Sequence, residues 1–247
     1  MKKTIAGNLA TGWIKILALA FMFADHAGKM LLPGVQEMRM LGRLAFPLYA
    51  WCLMVGANYT RSMPKYLLRI LAVGLVSQPL YMIALNHTWN QPNVFLTLAL
   101  GICGLWSLRE KRWGSQVWGP AAVLLLAALL KVDYGWKGVL FIMLLYAVRD
   151  SRPAIAAMMI AFCLFWGTTS TAISSICGCS LNGVSSWPAI GAILPSFLRL
   201  QTFSLLALPL ILLRIPREKD LRLPKWLGYA IYPAHLVVLY GLELLFK

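Results

Sequence analysis

Acidic side chains are scarce here: eight Asp and Glu face twenty-three Lys and Arg in 247 residues, and charged residues of both signs reach only 13%. A soluble domain carries about 25% charged residues, so this chain has too little polar material to cover a water-facing globule. Histidine is rarer still, with three residues, and five cysteines fall at no zinc-ligand spacing. No Gly-rich phosphate loop is present. A metal centre and a nucleotide cradle of known sequence type are thereby excluded. Cys52, Cys103 and Cys163 lie inside apolar runs as small core residues. Cys177-Gly-Cys179 falls in a loop that would permit a disulfide, although one intervening residue is an awkward spacing. With no internal repeat and no second soluble stretch, residues 1–247 read as a single integral-membrane domain.

What the chain does have is apolar length: 60% hydrophobic residues and a mean hydropathy of +0.71. A spanning helix needs about 20 mainly apolar residues. Candidate spans lie near 13–32, 40–57, 66–86, 93–108, 117–131, 136–148, 154–174, 194–214 and 226–246. The expectation is an all-α, polytopic bundle of about nine transmembrane helices, with the lipid bilayer as its first partner. The spans near 93–108, 117–131 and 136–148 are short, which implies tilt, kinks or partial re-entry. Residues 180–194, with Pro188, read as a surface helix. Met1-Lys2-Lys3 before an apolar run imitates a signal peptide, but no small-residue cleavage site follows, so the segment is expected to be retained.

Basic residues in short loops set orientation. With the N-terminus inside, cytoplasmic segments carry Lys2, Lys3, Arg61, Lys65, Arg69, Arg109, Lys111, Arg112, Arg149, Arg152, Arg214, Arg217, Lys219, Arg222 and Lys225. The other side keeps Lys29, Arg39, Lys131, Lys137 and Lys247. This asymmetry predicts a cytoplasmic N-terminus, an extracytoplasmic C-terminus and an odd number of spans. It also accounts for most of the +15 net charge without nucleic acid as a partner.

Removing loop charges leaves polar residues that lipid does not excuse: Asp25, His26, Arg43, Asn93, Arg199, His235 and Glu243, with Asp133 at a span boundary. A charge at a bilayer centre costs about 2.5–3.5 kcal/mol on insertion scales. Topology puts Asp25, His26, Arg43, Asn93 and Asp133 at similar depth on the outer side. Each has a structural alternative. Asp25 and Lys29, four apart, could neutralise each other; His26 could bond a neighbouring carbonyl, and Arg43 could snorkel to headgroups. Glu243 and Arg199 read as interfacial, and His87 as a solvated loop residue. His235 follows Pro233, which frees a carbonyl mid-span. A buried acid and imidazole suit acyl transfer: the imidazole accepts a proton from an attacking amine or hydroxyl. The carboxylate holds its tautomer, and Arg43 or Asn93 stabilises the oxyanion. No Ser or Cys nucleophile stands beside the pair, so direct transfer is the simpler scheme.

The segments Ile14-Lys15, Asp25-His26, Gly42-Arg43-Leu44-Ala45-Phe46-Pro47-Leu48, Gly56-Ala57-Asn58 and Arg61 closely resemble the opening of the TraX family. Asn93-Val94-Phe95, Asp133-Tyr134-Gly135-Trp136-Lys137-Gly138 and Tyr232-Pro233-Ala234-His235-Leu236 extend the likeness over nearly the whole chain. That family is named for a conjugative-plasmid enzyme that N-acetylates pilin. The resemblance implies a bacterial cytoplasmic-membrane acyltransferase that takes acetyl groups from acetyl-CoA, with no metal. His26 would be the catalytic base, with Asp25 and Arg43 supporting it and His235 completing the cavity. Asn93, Asp133, Tyr134, Arg61 and Arg69 would bind substrate or donor, with Arg149 and Arg152 also placed to meet donor phosphates. This sequence opens without the longer hydrophilic extension of the plasmid pilin acetylase, so a pilin-like protein and an envelope glycan both stay open as acceptors. The competing reading is a proton-coupled transporter or flippase using Asp25, His26 and His235. A third is a non-catalytic assembly factor for a surface structure.

Overall fold

The computed structural model describes residues 4–173, 175–176, 179–180, 197–215, 220–221 and 224–246. The surface helix expected over 180–194 lies almost wholly outside these residues, as do Cys177 and the basic residues Lys2, Lys3, Arg217, Lys219, Arg222 and Lys247.

The described chain is dominated by helices: α1 (Thr11–Met30), α2 (Gln36–Gly42), α3 (Ala45–Tyr59), α4 (Met63–Leu85), α5 (Val94–Glu110), α6 (Ser115–Leu129), α7 (Gly135–Val148), α8 (Arg152–Gly167), α9 (Leu208–Leu212) and α10 (Lys225–Phe246). A 3-10 segment, Leu200–Ala207, leads into α9. Local chemistry sets the boundaries. Ser62, Asn93 and Ser151 cap α4, α5 and α8 with side-chain oxygens, satisfying amides that the first turn leaves free. Asn86 ends α4 in the left-handed conformation, with φ 54°, as helix ends commonly do.

The long segments alternate in direction. At one end, Ala6 N donates to Arg149 O, Asn8 N to Ile211 O, and Arg152 Nη2 to Leu212 O. Arg109 Nη1 donates there to Ala57 O and Thr60 O. At the other, Lys137 Nζ donates to Thr169 Oγ1, and Ala172 bridges Arg199. We call these the basic end and the cavity end. α3 is apolar on every side and sits in the middle of the bundle, with Phe46, Leu48, Trp51 and Met54 almost fully buried. That is the expected place for a helix with no polar face.

The surface is unusually apolar. Leu75 is 74% exposed and Val117 75%, and Leu68, Val76, Ile83, Leu125, Leu129, Ile160, Val237 and Val238 also point outward. Two helical stretches among the described residues are long and apolar enough to cross a membrane, Gln36–Tyr59 and Met63–Leu85. Shorter apolar helices cover Gly135–Val148, Arg152–Gly167, Leu200–Leu212 and Ala230–Phe246.

Three segments depart from the sequence expectation. The second span is not one continuous helix: α2 and α3 are separated at Arg43-Leu44. Pro47 has no N–H to give the carbonyl of Arg43, four residues back, and Ser204 Oγ donates to that carbonyl instead, at 3.1 Å. The seventh span stops at Gly167, and the chain then forms the bridge at Ala172 and a two-residue hairpin, β1 (Ser175–Ile176) against β2 (Cys179–Ser180), antiparallel. The eighth begins as extended chain at Arg199 and continues as a 3-10 coil rather than as one α-helix.

Candidate functional site

Two glycines let α2 lie directly on the last turns of α1. A Cβ on Gly28 would meet Met38 Cβ at 2.8 Å, and one on Gly42 would occupy the space of the Asp25 side chain. This close approach carries Arg43 over Asp25, and the Arg43 Nη2 donates to Asp25 Oδ1 in an ion pair, with the two side chains 14% and 16% exposed. Arg43 Nε donates to Arg39 O. Its Nη1 has no hydrogen-bond partner among the described residues, while the side chain lines a cavity of about 460 Å³.

That cavity lies at the cavity end, between α1, α2, the start of α3, the end of α4, the α6–α7 loop and α10. It gathers Asp25, His26, Arg43 and Asp133, which the sequence places at similar depth, together with Tyr134. Phe46 and Trp166 form an aromatic wall around Tyr134, with the Phe46 and Tyr134 rings 4.0 Å apart. The α6–α7 loop is anchored by buried Val132, whose carbonyl accepts from Gly135 N at 2.7 Å. Asp133 projects from this anchor into the cavity. The surrounding protein pushes its carboxyl up to about 6, Arg43 pulls it down and Asp25 raises it further. Burial also raises the Tyr134 hydroxyl well above its usual value, so Tyr134 stays a neutral phenol.

His26 does not use Asp25. Its Nδ1 lies 2.7 Å from Nε2 of His235, on α10. The ring planes are within 10° of parallel and the centroids 5.0 Å apart, which is an edge-to-edge contact along a nitrogen lone pair. The tautomers follow from the next bond. His235 Nδ1 lies 3.3 Å from the carbonyl of Ile231, and a carbonyl only accepts. In the neutral pair, His235 therefore donates from Nδ1 and accepts at Nε2, His26 donates from Nδ1, and His26 Nε2 keeps its lone pair. His26 lines the cavity, while His235, only 6% exposed, stands behind it.

The remaining sequence candidates separate. Asn93 is 2% exposed and committed to structure: Oδ1 accepts from Phe95 N, Nδ2 donates to Gly74 O, and its own amide reaches Gln78 Oε1. It neighbours the cavity without lining it. Arg61 and Arg69 are exposed at the basic end of α4; Tyr81, where α4 meets the cavity, is twelve residues beyond Arg69, about 18 Å of helix. Arg149 is buried, with its guanidinium against the Tyr146 ring and carbonyl, and Arg152 holds Leu212 O.

Several cavity residues escape a reading of the sequence. His87, expected to be a solvated loop residue, accepts at Nε2 from Lys29 Nζ at 2.8 Å and donates from Nδ1 to Gln91 Oε1 at 2.8 Å. Its ring packs on Tyr81. Lys29 thus pairs with His87 rather than Asp25. The four-residue spacing of His87 and Gln91 was the available signal. Arg39, Tyr49, Lys131, Gln201 and Tyr232 also line the cavity and give no comparable sequence sign. Among the described residues no cluster of His, Cys, Asp and Glu could hold a metal ion.

Comparison with known proteins gives the chain its relatives. It is 30% identical over 155 residues to a protein described as "Probable fimbrial assembly protein FimC, serogroup H1" from Dichelobacter nodosus, covering 57% of this chain and 63% of that one. It is 32% identical over 97 residues to "Uncharacterized protein RP591" from Rickettsia prowazekii (strain Madrid E), covering 39% and 37%. The chain thus spans less than two thirds of the length of either relative. No solved structure matches. The model of the family described as "TraX protein" matches residues 10–243, through both histidines of the site, and the chain belongs to the TraX family.

Proposed function

We propose that this protein is a multi-pass acetyltransferase of the bacterial cytoplasmic membrane, moving acetyl from acetyl-CoA to an amine or hydroxyl of a pilin-like protein or envelope glycan. The family and the fimbrial-assembly relative support a pilin-related role. The outward apolar side chains and the alternation of apolar segments support about nine passes, because lipid solvates exposed Leu, Val and Ile that water does not. The gathering of Arg61, Arg69, Arg109 and Arg152 at one end supports a cytoplasmic basic end.

One observation carries the chemical reading: His26 Nε2 faces the cavity with a free lone pair, held in that tautomer by His235. In the reaction the acceptor N–H or O–H gives its proton to His26 Nε2 as its heteroatom bonds to the thioester carbonyl carbon. The carbonyl becomes an oxyanion beside the Arg43 guanidinium. The C–S bond then breaks, the acetylated acceptor forms, and the departing thiolate takes the proton from His26 as free coenzyme A. Asp25 keeps Arg43 in place, and Asp133 and Tyr134 contact the substrates from the opposite wall.

Transport through the same residues is less well supported. A proton moved from His26 to His235 meets the Ile231 carbonyl next, which offers no onward acceptor. Mass spectrometry of envelope proteins and glycans from cells with the native protein or His26→Ala tests the proposal. A +acetyl product that depends on His26 is expected. Identical profiles with both proteins correctly inserted would overturn it.

A further inference from the structure

The cavity holds more positive charge than its own acids neutralise. Lys29, Arg39, Arg43 and Lys131 line it against Asp25 and Asp133. Asp25 is taken by Arg43, and one carboxyl remains for three cations. Lys29 gives one N–H to His87 and has two more. Arg39 and Lys131 make no hydrogen bond or ion pair through their side chains among the described residues, and the Arg39 Nε is buried with no partner.

Lys29 and Lys131 reach solvent at the cavity mouth, where their charge is available to a ligand, and the Arg39 N–H that is buried without an acceptor is the costly group. Chain geometry nevertheless places these groups together. Gly28 admits the Arg39 Cγ at 3.4 Å from where its own Cβ would stand. Lys131 sits in the left-handed conformation, φ 48°, at the start of the loop that delivers Asp133. The complement to one planar guanidinium and two ammonium groups is an oxyanion with several acceptor atoms.

We propose that Lys29, Arg39 and Lys131 form an oxyanion subsite at the cavity mouth, which binds a phosphate or carboxylate carried by a substrate reacting at His26. The inference rests on the acetyltransferase reading for the word substrate; the anion site itself does not depend on it. Two sources carry such a group: the nucleotide phosphates of the acyl donor, or an acidic group on the acceptor beside its nucleophile. The first requires the cavity end to face the donor's compartment, the reverse of the orientation proposed above; the second keeps that orientation and restricts the acceptor to an acidic peptide or glycan.

Binding of 3′,5′-ADP and of inorganic phosphate to the detergent-purified full-length protein, by calorimetry at low salt, tests the site. Binding of at least one is expected, weakened about tenfold or more in Arg39→Gln/Lys131→Gln, since a charged hydrogen bond contributes about 1.5–3 kcal/mol. Arg61→Gln/Arg69→Gln should bind like the native protein. Arg39→Lys, which keeps the charge and loses the fork, should fall between. ADP binding at least tenfold tighter than phosphate identifies the donor; equal affinities identify the acceptor. Failure of both probes to bind, or equal binding by native protein and a correctly folded Arg39→Gln/Lys131→Gln, overturns the subsite. Acetyl-CoA turnover in the same samples separates the two ideas. Arg39-dependent binding without turnover removes the acetyltransferase reading alone, and turnover without such binding removes the subsite alone.

Discussion

His26 and His235, 209 residues apart in sequence, meet through Nδ1 and Nε2 at 2.7 Å, and Asp25, the neighbour of His26, points to Arg43 instead. In the proposed reaction His235 is thus a positioning residue. In His235→Ala, His26 loses the acceptor that keeps its Nδ1 protonated, and part of the population places the proton on Nε2. We expect kcat to fall about 10- to 100-fold, as outer-sphere partners of functional imidazoles commonly cost, with the acetyl-CoA KM little changed. A change in KM alone would assign His235 to substrate binding.

The Asp25–Arg43 pair should matter to stability as well as activity. Removing one partner of a buried pair costs about 3–5 kcal/mol, because the other charge is left uncompensated; the slight exposure here points to the lower end. Asp25→Asn and Arg43→Gln should each lower the melting temperature in detergent, and the double variant by less than their sum. Simple additivity would show that the pair does not couple. Gly42→Ala should resemble Asp25→Asn in activity, because its Cβ claims the space of that side chain.

Asp133 sets a pH dependence. With its carboxyl pushed up to about 6, the folded protein takes up this proton before the unfolded chain does. Its contribution therefore favours the folded state at low pH and is lost as pH rises from about 4 to about 6. Over the same window, acidification removes a negative charge facing Arg43, Lys29 and Asp25, so sulfate, whose own charge is constant over this range, should bind more tightly at pH 5 than at pH 7. Asp133→Asn should flatten that part of the difference when compared with native protein in calorimetric titrations at both values.

Asn93→Ala separates structure from chemistry. Losing the α5 cap costs about 1 kcal/mol, with more for the Gly74 carbonyl left without its Nδ2 donor, while the backbone N–H of residue 93 keeps its bond to Gln78 Oε1. A lower melting temperature with unchanged KM and kcat is expected at temperatures where the variant stays folded. A selective rise in KM would return Asn93 to the substrate.

The helical character of the chain, and the side of the bundle on which its costly polar residues lie, were legible because both follow from the spacing of apolar and charged residues. Asp25, His26, Arg43 and Asp133 share a cavity as that spacing implies. The partnerships inside it were not legible. Adjacent helix residues diverge by about 100°, so the sequence neighbours Asp25 and His26 face different helices and find partners on α2 and α10. Lys29 had a carboxylate one turn away and still bonded His87, because α1 packs its end against the α4–α5 loop. The break at Arg43 was hidden for a similar reason: Pro47 is tolerated near a helix start, and the donor that satisfies the freed Arg43 carbonyl, Ser204, lies 161 residues away.

The proposed chemistry needs His26 Nε2 as the base, which acetyl release from labelled acetyl-CoA by the purified native protein and by His26→Ala tests. Slow coenzyme-dependent turnover by the native protein, reduced to the uncatalysed background in a folded His26→Ala, is the predicted result. Full turnover retained in His26→Ala would contradict it.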